Sequence, residues 1–105
     1  MKVYKNLYTS ELLKKRKNKI LANMERGKYP PDLFVITLDP MEGQHPEIYS
    51  ACMFYQTVLK NEDLILVGIA SGYEDALFLL KDIVGEVYEK TKDVDLRTYI
   101  IDHNC

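Results

Sequence analysis

No stretch of this chain reaches the roughly 18 uninterrupted apolar residues of a membrane-spanning helix. The opening Met1-Lys2-Val3-Tyr4-Lys5 is not followed by the apolar core, about 7–15 residues long, of a secretory signal. The expected setting is therefore the cytoplasm, with no membrane partner. Cysteine is scarce: Cys52 and Cys105 lie 53 positions apart, which is neither a zinc spacing nor a CxxC redox pair. There is no GxGxxG, no Lys followed by Ser or Thr in a phosphate loop, no G-x-S-x-G elbow, and no HExxH or i,i+4 histidine pair. Repeats, low-complexity tracts and linkers are missing too. No cofactor is implied, and the chain reads more as a non-enzyme than as an enzyme.

What is present is ordinary globular material. Of 105 residues, 47% are hydrophobic and 29% charged, which argues against disorder and fits one small domain spanning 1–105. The net charge of −2 hides a polarity along the chain. Residues 1–28 carry nine Lys/Arg against Glu11 and Glu25, a balance of +7; the remainder carries five basic and fourteen acidic residues, a balance of −9. Such polarity can orient a partner, or a second copy, during encounter.

Periodicity yields an alternating order. Residues 3–8 alternate with period two, enough for a short additional N-terminal strand. Thr9 or Ser10 can cap a helix over 11–26 with Leu13, Ile20, Leu21 and Met24 on its apolar side, ended by Gly27 and Pro30-Pro31. Leu33–Leu38 is a β-branched strand, and Pro46 opens a helix running to about Lys60. Leu64–Ala70 is an unbroken apolar run, the mark of a strand covered on both faces and central in a parallel sheet. Ser71 and Glu74 then match the S-x-x-E capping box of a helix reaching Thr91. Its stripe of Tyr73, Ala76, Leu77, Leu80, Val84, Val87 and Tyr88 faces a core. Leu96–Ile101 closes the chain as a strand. The expected fold class is α/β: three layers, helix-strand-helix-strand-helix-strand, around a mainly parallel three-stranded sheet.

One segment asks for more than a fold. Ile48–Leu59 contains no charged residue over twelve positions. Read as a helix, it is apolar on two sides, and a three-stranded sheet can cover one. A homodimer is expected, with Tyr49, Met53, Phe54 and Val58 in its interface.

Two further candidate sites come from side-chain chemistry. Lys14, Lys15, Arg16, Lys17 and Lys19 form a basic run able to neutralise phosphates, without interleaved aromatics for base stacking; a solvated helix face is the plainer explanation. In a parallel sheet, loops after the strands converge at the carboxyl ends. Asp39, His45, Asp102 and His103 would meet there as a carboxylate–histidine cluster suited to a divalent metal. Ser71 and Glu74, by contrast, are accounted for as a structural cap.

Val67-Gly68-Ile69-Ala70 followed by Tyr73-Glu74-Asp75-Ala76, with Leu7–Glu11 and Val35–Leu38, resembles a VGIA-x-x-YE-x-A segment in small bacterial α/β proteins that have no assigned function. The likeness covers most of the chain. It implies a stand-alone small bacterial domain and no activity or catalytic residue. The functional expectation is a self-associating protein that acts through protein contacts. A nucleic-acid-associated protein using residues 11–26 is the alternative, and a metal or ligand site at the strand ends is third.

Overall fold

Alternation, apolar runs and breakers along the chain resolve into four strands and three α-helices in a computed structural model, which describes residues 2–39, 46–55, 64–92 and 95–103. Strand β1 (Lys2–Thr9) leads through a 3₁₀ helix (Glu11–Arg16) into α1 (Lys17–Glu25). Strands β2 (Leu33–Leu38) and β3 (Glu47–Ser50) follow, then a second 3₁₀ turn (Ala51–Tyr55), β4 (Ile65–Ser71), α2 (Tyr73–Thr91) and α3 (Leu96–His103). The sheet order is β1-β4-β2-β3. β1 and β4 are parallel; β4 with β2 and β2 with β3 are antiparallel.

The chain is α/β in general, but the expected parallel three-stranded sheet is overturned. The apolar run of β4 does lie centrally with both faces covered, and it has one neighbour of each direction. Burial on two faces constrains what lies above and below a strand, not the direction of the strands beside it. Over 47–55 the expected helix is replaced by β3 and a 3₁₀ turn, and the part of it from 56 to 60 lies outside the described residues. Side chains of the strand and turn serve two faces: Ile48 packs towards the α2 layer, while Tyr49 and Ala51 pack towards the α1 layer. In the strand, then, successive apolar side chains serve both layers of one copy. The expected closing strand is helix α3, whose Leu96, Tyr99 and Ile100 follow an i, i+3, i+4 stripe and are buried. Asp95 caps it, accepting the backbone N–H of Thr98 at 3.1 Å and its hydroxyl at 2.8 Å.

Two hydrophobic layers flank the sheet. On one side Leu13, Ile20 and Met24 cover Leu33, Val35, Leu66 and Ile69. On the other, Ile83, Val87, Leu96 and Ile100 cover Ile36, Leu38, Ile65 and Val67. The register of β4 slips between its pairings with Ile36 and Thr37 of β2, so Val67 and Gly68 both turn towards α2. A Cβ on Gly68 would stand 3.2 Å from Leu79 Cδ2 and 3.3 Å from the Tyr8 carbonyl oxygen. Glycine is what lets α2 lie so close to the strand.

Candidate functional site

The two parallel strands β1 and β4 end side by side, and their helices leave to opposite faces of the sheet. This is the kind of crevice where open α/β sheets hold ligands. In this chain its centre is filled from within. The Asp75 carboxylate accepts the Ser10 hydroxyl hydrogen and the Ser71 backbone N–H, the latter at 2.9 Å. Ser10 in turn accepts the Leu12 N–H at 3.3 Å as the cap of the first 3₁₀ helix. The Gly72 N–H donates to the Asp32 carbonyl at 2.9 Å. Three chain crossings are thus stitched together around one carboxylate, which sits where a bound anion would otherwise complement the donors. A cleft of about 290 Å³ remains alongside, between Thr9, Glu11, Lys14, Phe78 and Asp82. The buried Thr9 Oγ1 has no hydrogen-bond partner among the described residues.

The capping box expected at Ser71 and Glu74 does not form. Ser71 is the last residue of β4, and Gly72, at φ +94°, is the N-cap of α2 without a side-chain capping bond. Asp75 rather than Glu74 reaches back, because only a left-handed glycine turn separates the strand from the helix and the second acidic position faces β1. Glu74 is exposed.

Of the expected metal cluster, only Asp39 has a described side chain, and the side chains of the rest lie outside the described residues. β2 runs antiparallel to β4, so Asp39 emerges at the end of the sheet opposite Ser71. Asp102 and His103 lie in the last turn of α3 rather than after a strand, and their side chains, like the whole of His45, are outside the described residues. Among the described residues no three His, Cys, Asp or Glu side chains are grouped to hold a metal ion.

The basic run is divided. Lys14 forms an ion pair with Glu11 at 2.5 Å, and Arg16 lines a small cleft of about 40 Å³ with Asp32 and Ser71. Lys15 and Lys19 are exposed and Lys17 is half-buried. Their run crosses from the 3₁₀ helix into α1, and the change of pitch turns successive charges to different sides.

Of the residues expected to associate, Tyr49 packs half-buried against the α1 layer and donates its hydroxyl to the Glu47 carboxylate. That bond, with burial and the nearby Glu47 and Asp39 charges, pushes its pKa up to about 12. Met53 is exposed. Val58 and the Phe54 side chain lie outside the described residues.

Apolar surface is instead uncovered on α2. Helical spacing aligns Tyr73, Leu77, Leu80, Val84 and Tyr88 along one flank. With Ala76 and Val87, these residues were expected to face a core; Ala76 and Val87 do, yet Tyr73 is 53% exposed, Leu77 43% and Tyr88 51%. Leu80 and Val84 are half-buried. The residues that do enter the core are Ala76, Ile83 and Val87, about a quarter turn further round. The flank continues onto the sheet: the Tyr73 ring meets Phe34 of β2 edge-on at 6.0 Å, and Phe34 and Ile48 are half-buried. Phe78, 69% exposed, lies on the helix crest.

The opposite flank of α2 is bound down. Asp75 holds Ser10, and Glu86 accepts from the Tyr8 hydroxyl and from Lys90 at 3.1 Å. Lys90 Nζ is also 3.5 Å from the Tyr99 hydroxyl of α3. The donation from Lys90, followed by that from Tyr8, holds Glu86 below the usual carboxylate range, and burial with the Glu86 bond pushes Tyr8 up. The sequence signal for the bare flank was the breadth of the apolar arc. With Phe78, Leu79 and Ile83 added to the expected stripe, α2 carries more apolar surface than one sheet face can cover.

Compared with known proteins, the chain matches no family model, no curated protein and no solved structure. Among the described residues no helix is long and apolar enough to cross a membrane.

Proposed function

We propose that this protein works through protein–protein contacts and that its first partner is a second copy of itself, met through the bare flank of α2. The observation that supports this is the partial exposure of Tyr73, Leu77 and Tyr88 on a helix whose other flank is tied to its neighbours through Asp75, Glu86 and Lys90. Covering a large apolar side chain completely is worth about 1.5–3 kcal/mol. Three such side chains at about half exposure, extended by Phe34 and Ile48, leave several kcal/mol available to association. Self-association was expected from the uncharged segment Ile48–Leu59; the proposal keeps that functional class and places the contact on α2. A cytoplasmic setting belongs to the same reading, supported by the free thiol of Cys52.

Sedimentation velocity across a low- to high-micromolar series tests it. The expected result is a concentration-dependent shift from a 12.2 kDa monomer to twice that mass. The substitution Leu77→Asp should abolish the shift while leaving the circular dichroism of the monomer unchanged. A 12.2 kDa species at every concentration would remove the proposal.

A further inference from the structure

We infer that two copies join by laying α2 against α2 in antiparallel fashion, across a two-fold axis passing close to Leu80 and Lys81, with Glu74 of each copy beside Lys92 of the other. This rests on the self-association proposed above and gives it an orientation.

A two-fold interface places one patch on an identical patch, so the patch must complement itself when reversed. The α2 flank does. Read from either end it presents tyrosine, an aliphatic residue, the central Leu80, an aliphatic residue and tyrosine, at positions 73, 77, 80, 84 and 88. Turned about its middle, Tyr73 falls opposite Tyr88 of the other copy and Leu77 opposite Val84. A parallel pairing would set Tyr73 on Tyr73 and acid on acid.

Charge decides the same way. The first turn of α2 carries Glu74 and Asp75, and the C-cap is Lys92. Asp75 is already engaged with Ser10 and Ser71, and Lys90 with Glu86. Of the exposed charges that remain at the two ends, Glu74 borders the apolar flank by its helical position and Lys92 by its place beside Tyr88, while Glu89 is turned further away from the flank. Lys92 lies 5.9 Å from the Tyr88 ring, which keeps its charge over the flank. In the antiparallel pair these two residues fall on one side of the interface, about 8 Å apart along the axis at about 1.5 Å of rise per residue. Helical side chains lean towards their own N-terminus, so in opposed helices the two lean towards each other. The arrangement also brings Lys81 near its own copy at the axis, where the long stems splay into solvent.

A charge swap read by sedimentation equilibrium tests the orientation. Glu74→Lys and Lys92→Glu should each weaken the dimer about 5- to 20-fold, since each creates two like-charge encounters per dimer. The double variant E74K/K92E should return the dissociation constant to within about 2-fold of the parent, and Lys81→Leu should tighten it. Singles that weaken the dimer without rescue in the double, or singles without effect, would overturn the antiparallel pairing while leaving self-association standing. A parent chain that never dimerises would overturn both.

Discussion

The two flanks of α2 are cut from one helix, yet they behave as different surfaces. The flank facing β1 and α3 carries Asp75, Glu86 and Lys90, and each is matched by a group on the neighbouring element: Ser10, Tyr8 and Tyr99. The flank facing β2 and β3 carries tyrosine and aliphatic side chains, and above Phe34 and Ile48 it stays partly open. A polar flank is complete when its donors and acceptors are paired, and further contact then gains little. An apolar flank is complete only when it is covered. The difference teaches where this molecule is finished and where it has capacity left.

The comparison can be broken most directly by truncation at equivalent depth along the helix. Ile83→Ala should cost about 2–5 kcal/mol in urea unfolding, because the side chain is fully buried between α2 and the sheet. Leu77→Ala, six residues earlier and equally apolar, should cost less than about 1 kcal/mol for the monomer at low micromolar concentration. Equal costs would mean that the bare flank is covered within one copy.

The bound flank is tested next. Asp75→Ala leaves the Ser71 N–H and the Ser10 hydroxyl without their shared acceptor in a partly buried junction. The expected loss is about 1–3 kcal/mol. Glu74→Gln, one residue away and exposed, should change monomer stability by less than about 0.5 kcal/mol. The reverse ranking would reinstate Ser71 and Glu74 as the cap.

Much of the architecture was legible in the chain, and the losses have identifiable causes. The ends of the helical stretch 11–26 were readable because Ser10 and Gly27 are chemically suited to a start and a stop: Ser10 caps the 3₁₀ helix that leads into α1, and the Gly27 N–H donates to the Met24 carbonyl just past the end of α1. β2 and β4 were readable because short β-branched runs between breakers leave little choice. Strand direction was not, since the burial that makes β4 apolar is the same beside a parallel or an antiparallel neighbour. Residues 47–50 carried no visible period, because Ile48 and Tyr49 each enter a different apolar layer. At 96–101 the β-branched and aromatic content outweighed the Asp95 cap and the helical spacing of Leu96, Tyr99 and Ile100. The α2 flank was visible as a stripe but assigned to the core: spacing tells which residues share a side, not how much of that side the sheet can reach.

A smaller effect separates the flanks by pH. Tyr8 on the bound flank and Tyr4 beside it have pKa values raised above 10.0, burial being the first cause for both, so the folded state favours their protonated form. Their contribution is fully present below pH 10 and is lost as the pH rises towards their folded values. Glu86 is lowered from 4.5, so its contribution is present above that pH and lost as the pH falls. Denaturant midpoints should therefore hold level from about pH 5 to 10 and decline on both sides. Tyr8→Phe should flatten the alkaline decline.

The smallest expected effect falls between the flanks, at Gly85. It sits mid-helix, exposed, and a Cβ built there meets nothing within 4 Å. Its backbone is ordinary helix, so an alanine fits without strain and reduces the freedom of the unfolded chain. Gly85→Ala should stabilise the monomer by about 0.5–1 kcal/mol. The same variant also locates the contact. Gly85 lies about a quarter turn from the Tyr73–Tyr88 line, so in the proposed pairing its added methyl points into solvent and the dimer constant is unaffected. If alanine instead weakens the dimer, the partner approaches over the crest of α2, near Phe78 and Gly85, and the axis must be moved there.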